Sequence, residues 1–252
     1  MQKDFIVVTP DSGNGDATVT VVASENIGNE RSSALNVAGG SMTRTISVSQ
    51  LPGGYSPVDA PNGVYIVHTN GRIYPRDKWD TSENNNAVGV GVKTSACSFM
   101  IAPVESRSFM TWGTYGVLVS GTTTTTEFEV AIKDYNGKAN TDAIIAQLGT
   151  SGEYAALFCK NYTFKNGKQG YLPAAGEWHE AYQYKTEIDA CMKLIGGESL
   201  GESLTSQNSY KWASTQNNEY SSWSIQWFIG LEAAYNKAHN SPVWTRPFTT
   251  LV

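Results

Sequence analysis

The sequence predicts an all-β sandwich module over residues 1–51 followed by an α+β domain over residues 52–252. Three observations carry that prediction. Residues 1–50 hold a single aromatic, Phe5, and repeat short β-branched runs separated by turns. Tryptophan is absent before Trp79, and four of the seven (Trp212, Trp223, Trp227 and Trp244) fall within the last 41 residues. Helical periodicity appears only beyond the Pro/Gly linker Leu51-Pro-Gly-Gly-Tyr-Ser-Pro57.

In the first module, strands are expected at Phe5–Thr9, Thr18–Val22, Ser33–Val37 and Thr43–Ser49, with turns at Pro10–Asp16 and Gly39-Gly40. Alternation of apolar and hydroxyl side chains turns one face of each strand inward. Four strands make a thin core, so the sandwich is expected to be partial, leaning on a neighbour or completed by residues upstream. The opening residues, Met1-Gln-Lys-Asp-Phe, lack the basic and apolar regions of a signal peptide.

In the second region, Gly63–Val67 and Ile73 read as a hairpin about Asn70-Gly71. Further strands are expected at Ala87–Val92, Ser98–Ala102 and Tyr115–Val119, with an exposed loop or edge strand at threonines 122–126. Thr141 is an N-cap candidate for a short helix to Leu148, and Tyr154–Cys159 suits another. The clearest helix is 176–195, where Trp178, Ala181, Ile188, Cys191 and Ile195 form one stripe ended by Gly196-Gly197.

Composition excludes several functions. Charged residues are 16% of the chain and the net charge is −5, which does not suit nucleic acid, whose phosphates need clustered Lys and Arg. No apolar run approaches the roughly 20 residues of a membrane-spanning helix, so no membrane insertion is expected. Cys97, Cys159 and Cys191 form no Cys-x-x-Cys pair and are expected to be buried apolar thiols. His68, His179 and His239 are scattered, and no metal or cofactor site is expected. Gly89-Val-Gly lacks the following helix that a phosphate cradle needs. Asp134–Asp142 offers oxygen ligands at the wrong spacing for a calcium loop and reads as a turn ahead of a helix. Glu177 and Glu180 are expected on the solvent face of the long helix, without an acid–base partner, and no catalytic residue is assigned.

Two resemblances add to this reading. The run Thr-Pro-x-Ser-Gly-x-Gly at 9–15, then Ala17-Thr-Val-Thr-Val, Asn26, Arg31 and Ile46-Ser-Val-Ser-Gln50, resembles the later half of a BACON-type immunoglobulin-like module, common in surface and phage proteins of gut Bacteroidetes. The order Tyr171-Leu-Pro-Ala-Ala-Gly-Glu-Trp178, a helix, Trp212-Ala-Ser-Thr-Gln216, Trp227, Gly230 and Arg246-Pro247 resembles the C-type lectin-like fold that includes formylglycine-generating enzymes. More narrowly, it is similar to variable proteins of diversity-generating retroelements. The fold so implied is an N-terminal immunoglobulin-like sandwich at 1–51 and a C-terminal C-type lectin-like domain at 52–252.

The narrower resemblance implies a variable region at about 217–248 whose codons are diversified on a fixed scaffold. Ser222, Ser224, Gln226, Phe228, Ile229, Leu231, Tyr235, Asn236, His239 and Asn240 mix apolar, aromatic and polar types without strand or helix periodicity, and are the expected ligand-binding residues. Trp178, Trp212, Trp223, Trp227, Gly230, Trp244 and Arg246 are the expected scaffold. Aromatic side chains among small polar ones suit a paratope-like surface. The implied partner is a macromolecule, protein or glycan, on a host or neighbouring cell, met by multivalent display on a bacterial surface or virion. The Glu-Pro-Asn, Gln-Pro-Asp and Trp-Asn-Asp signatures of calcium-dependent lectins are absent. The cysteines do not reproduce the pair of formylglycine-generating enzymes, so a non-enzymatic protein is expected. The alternative is a fixed-specificity adhesin or fimbrial subunit, and after it an enzyme of the formylglycine-generating branch.

Overall fold

The computed structural model describes residues 2–26, 28, 30–51, 53–104, 110–201, 210–238 and 243–252. The chain forms two compact units, Met1–Tyr55 and Ser56–Val252. In the first, β1 (Gln2–Lys3), β2 (Ile6–Thr9) and β3 (Thr20–Ala23) make an antiparallel sheet in that order. Beside them, β4 (Arg31–Gly39) and β5 (Met42–Gln50) form a hairpin whose register runs from Arg31↔Gln50 to Gly39↔Met42. That hairpin closes through Gly40 at φ +60°, a left-handed conformation that favours glycine. The two sheets meet through Ile6 and Val8 of β2 and Leu35 of β4, with Phe5 and Val48 packed against them. Arg31 closes one end, its guanidinium 4.4 Å from the Phe5 ring centre and its Nε donating to Gln50 Oε1 at 2.9 Å.

The second unit begins with β6 (Gly63–His68), β7 (Ile73–Tyr74), β8 (Ala87–Lys93) and β9 (Ser98–Ile101). Near-continuous apolar sequence in β6 and β8 matches their burial on both faces. Gly89 is needed for close approach, since a Cβ there would lie 2.4 Å from the Ile101 carbonyl oxygen. Helices follow: α1 (Phe128–Ala131), α2 (Gly137–Leu148), α3 (Ala155–Asn161), α4 (Ala175–Gln183) and α5 (Lys185–Leu194). The chain then forms β10 (Tyr210–Gln216), β11 (Ser221–Gln226), β12 (Leu231–Asn236) and β13 (Val243–Trp244), ordered β12-β11-β10-β13 among the described residues. Finally β14 (Phe248–Thr250) returns to pair with β9, giving the order β14-β9-β8-β6-β7.

The chain's last strand is therefore part of the first sheet of this unit, and Phe248 stacks on Phe99 with centroids 4.9 Å apart. Trp178 reaches the same ring at 4.6 Å and donates from Nε1 to the Trp212 carbonyl at 3.0 Å. Trp112, Trp178, Trp212 and Trp227 are fully buried, and each indole N–H has an acceptor.

Several expectations are corrected. The single helix at 176–195 is two, separated at Tyr184, whose φ and ψ of −110° and 18° leave the helical region. The break lets α4 pack on β10 and β11 while α5 packs on β6 and β8. Thr141 does not cap a helix: α2 starts at Gly137, and Thr141 donates to the Gly137 carbonyl at 2.7 Å while accepting from the Leu172 N–H. Tyr115–Val119 is not a strand but a turn and loop around Gly116 at φ +75°. Glu177 is not on the solvent face; it is buried, accepting from the Tyr171 hydroxyl and the Ala174 N–H, each at 2.7 Å. Cys159 and Cys191 are buried, whereas Cys97 is half-buried.

Candidate functional site

The C-terminal hairpin β11–β12 carries most of the residues expected to contact a ligand. The segment is not irregular: its register runs from Ser221↔Asn236 to Gln226↔Leu231, which fixes which side chains can reach solvent. Ser222, Ser224 and Gln226 are buried. The Ser222 hydroxyl donates to the Thr215 carbonyl at 2.8 Å, so it serves the sheet and not a surface. Tyr235 is half-buried, packing against the core around Trp112 and lying 5.1 Å from the Tyr210 ring. Phe228 and Ile229, at the hairpin tip, are 38% and 45% exposed, and Asn236 is exposed. Leu231 lies in β12, with its side chain outside the described set, and His239 and Asn240 lie outside the described residues.

The residues expected as scaffold take fixed places. Trp178, Trp212, Trp223 and Trp227 are buried, whereas Trp244 is half-buried. Arg246 is fully buried and donates to the carbonyls of Ala102, Glu198 and Ser199. Gly230 has φ +67°, and a Cβ there would lie 2.2 Å from the Tyr182 ring. The tip carrying Phe228 and Ile229 is thus held by a glycine that no other residue replaces without strain.

At the opposite end of β11, a second surface is built from residues far apart in sequence. Tyr115, Leu118 and Tyr220 are 52%, 54% and 48% exposed, and the two tyrosine rings lie 5.1 Å apart. Tyr220 sits in the turn between β10 and β11, where Asn218 Oδ1 accepts from the N–H groups of Tyr220 and Ser221. Tyr115 and Leu118 sit on the loop that the sequence alone reads as a strand.

That loop is fixed by side chains from below. Gly116 N–H donates to the Glu219 carbonyl at 3.1 Å, and Lys237 Nζ donates to the Val117 carbonyl at 2.8 Å. Gln147 Nε2 donates to the Leu118 carbonyl, while its Oε1 accepts from the Ser120 N–H. Val119 N–H donates to Gln216 Oε1, which also accepts from Lys237. Each residue from 116 to 120 therefore has a backbone group tied to another part of the unit. Lys237 is fully buried, 4.7 Å from the Trp112 ring centre, and burial pulls its ammonium down to about 8, opposed by the Glu219 carboxylate.

The sequence offered a weak signal for this loop, the glycines at 113 and 116 flanking Tyr115, but Val117-Leu-Val119 imitates a strand. Nothing local marks Lys237 and Gln216 as its supports. Among the described residues, no group of three His, Cys, Asp or Glu side chains is placed to hold a metal.

Residues 2–51 match the BACON family model, described as "Putative binding domain, N-terminal". This agrees with the BACON resemblance of the first module. A comparison with curated proteins finds no match. Among solved structures, the chain is similar to a fimbrial protein from Bacteroides ovatus at 11% identity and a TM-score of 0.48, over 76% of this chain. The chain spans 49% of that protein's length. None of these comparisons carries the lectin-like or retroelement reading of residues 52–252.

Proposed function

We propose that this is a non-enzymatic binding protein of adhesin type, displayed on a bacterial surface with fixed specificity, whose second unit presents Tyr115, Leu118 and Tyr220 to a macromolecular partner. The observation that carries this reading is the tethering of residues 116–120 by Lys237, Gln216, Gln147 and Glu219, beneath exposed aromatic and apolar side chains. A loop fixed before contact loses little conformational entropy on binding, and tyrosine gives large contact area for few rotatable bonds. The BACON match of residues 2–51 supports a binding role for the first unit. Surface display rests on the type of protein in which such modules are common.

We also propose a C-type lectin-like fold for residues 56–252. Support comes from the convergence of the resembling segments: Ala175 N–H donates to Thr215 Oγ1 at 2.8 Å, Ser214 N–H to the Pro173 carbonyl at 2.7 Å, and Tyr171 bridges to Phe248.

A Tyr115→Ala/Tyr220→Ala double variant tests the binding surface. Binding of the labelled full chain to cultured intestinal epithelial cells, read by flow cytometry, should fall at least about tenfold, in line with the loss of two aromatic anchors. The melting temperature should stay within about 2 °C, as expected of exposed positions. Unchanged cell binding would remove the surface from consideration.

Retroelement diversification of 217–248 is a second reading, favoured by the exposure of Phe228, Ile229 and Asn236. Burial of Ser222, Ser224 and Gln226 weighs against it, since larger residues there would overpack the sheet at about 1–3 kcal/mol each. A neighbouring reverse transcriptase gene and an adenine-mismatched copy of this coding segment would establish it; an intact genome without them ends it.

A further inference from the structure

Away from the aromatic surface, a cleft of about 390 Å³ opens between α2, the start of α4 and the β9–β14 edge of the first sheet of this unit. Its lining includes the buried Tyr171 and Glu177, the half-buried Ser98 and Tyr135, and the exposed Lys138 and Asp142. We propose that this cleft binds a small alkylammonium group, with the Glu177 carboxylate as its counter-ion and the Ser98 hydroxyl as a second acceptor. The inference is independent of the proposed adhesin role.

Three features of the cleft point to a cationic ligand. First, Glu177 is only 4% exposed, yet neither of its hydrogen-bond partners, the Tyr171 hydroxyl and the Ala174 N–H, carries a charge. Among these neutral partners the buried carboxyl holds its proton, and an entering cation is the charge that would ionise it. Asp134, buried beneath α2, is an acid already satisfied by Asn136, Asn140 and Thr215. Glu180, on α4, accepts from the Tyr135 hydroxyl at 3.5 Å and adds further negative charge. Lys138, which lines the cleft, and Lys160 both pair with Asp142, at 3.2 and 2.7 Å, so their ammonium groups are already engaged. Cys97 adds a thiol that burial pushes up to about 12, and it is uncharged at neutral pH.

Second, the Ser98 Oγ is buried and has no hydrogen-bond partner among the described residues, although it lines the same cleft. An orphaned hydroxyl costs free energy that a bound donor would recover. Third, Tyr135 and Tyr171 both line the cleft, and tyrosine is a side chain that a cation or an alkyl chain packs against favourably. Among the described residues no group of three His, Cys, Asp or Glu side chains is placed to hold a metal there, whereas an ammonium needs only a carboxylate, a hydroxyl and water.

This arrangement has a proton signature. Burial, with Asp134 nearby, raises the Glu177 carboxyl to about 8, against the opposing bonds from Tyr171 and Ala174, so at pH 7 it is mostly protonated. An arriving ammonium holds it ionised, and the carboxyl proton is released to solvent. The covalent structure of both partners is unchanged.

Isothermal titration of the full chain with n-butylammonium, using n-butanol as the uncharged isostere, tests the proposal. Butylammonium is expected to bind and butanol to bind at least about tenfold more weakly, the margin of one charge-assisted hydrogen bond. At pH 7, titration in buffers of different ionisation enthalpy should report close to one proton released per ammonium bound. As pH is raised toward about 8, affinity should rise about tenfold per unit and then level off, as linkage to the release of a single carboxyl proton requires. Glu177→Gln should abolish the proton release and weaken binding at least about tenfold. Because Glu177 also holds the start of α4, Ser98→Val is the second variant: about threefold to tenfold weaker binding with an unchanged melting temperature. Tyr115→Ala/Tyr220→Ala should leave butylammonium binding unaltered, which separates this site from the aromatic surface. Equal binding of butanol, absence of proton release, or full affinity in Ser98→Val overturns the proposal.

Discussion

The two units are both built mainly on antiparallel strands, with a parallel pair, β10 with β13, in the second, but they bury them to very different extents. In the first, the shared core is Ile6, Val8 and Leu35, while Val7, Val21, Val22, Val37 and Ile46 remain exposed. In the second, two sheets and the helices between them enclose Trp112, Trp178, Trp212 and Trp227 completely, together with the charged side chains of Lys237 and Arg246. A valine left at the surface forgoes most of the roughly 1.5–3 kcal/mol that burial of such a side chain provides. Strand pairing and turns shape the first unit, whereas dense packing around aromatic anchors stabilises the second and leaves its loops free to be fixed by polar side chains.

That contrast can be broken most directly at Trp178. Trp178→Ala removes the ring joining α4 to Phe248 and Trp212 and should destabilise the second unit by about 3–5 kcal/mol. Every tryptophan lies at or after Trp79, so fluorescence-detected urea unfolding reports this unit alone. A shift below about 1 kcal/mol would mean that the aromatic layer does not anchor the fold, a value typical of surface changes.

Buried ionisable groups sharpen the same comparison. Glu177 has a folded pKa of about 8 against 4.5, so the stability it contributes is complete below pH 4.5 and is lost as pH rises through about 8. Lys237 has a folded pKa of about 8 against 10.5; its charged form is penalised below about 8, and the penalty is relieved as pH climbs to 10.5. The fluorescence-detected urea midpoint should therefore fall and then recover across that range. Glu177→Gln should flatten the acid limb and Lys237→Met the alkaline limb. Identical pH profiles for wild type and both variants would show that neither group titrates as its burial requires.

The smallest effects belong to the first unit. Leu35→Ala should cost about 2–3 kcal/mol, whereas Val22→Ser should stay within about 0.5 kcal/mol because its side chain is already in water. Amide hydrogen exchange in β2 and β4 measures both. Equal losses would indicate that the exposed face of β3 is covered in solution.

Local signals explain which parts were readable in advance. Alternating β-branched residues place β2, β4 and β5 close to their observed positions, and Asn70-Gly71 marks its hairpin, because these depend on neighbours in sequence. The helix break at Tyr184 was hidden because the stripe from Trp178 to Cys191 keeps helical spacing across it; only the different sheets beneath α4 and α5 require a turn. Ser222, Ser224 and Gln226 look like surface residues by composition, yet the β11 ladder buries them between β10 and β12.

Composition, periodicity and turn residues by themselves determined the division into an aromatic-poor β module and an aromatic-rich α+β region, and most strand positions in each. Tertiary structure alone decided which aromatic side chains face water. Trp178 and Trp212 go inward and Tyr115 and Tyr220 outward, since exposure depends on elements more than 90 residues away, as in the Gln216 bond to Val119. It likewise decided that the hydrogen-bond partners of Glu177 among the described residues are uncharged, the Tyr171 hydroxyl and the Ala174 N–H, and that its carboxyl is desolvated, since desolvation is a property of the assembled surroundings.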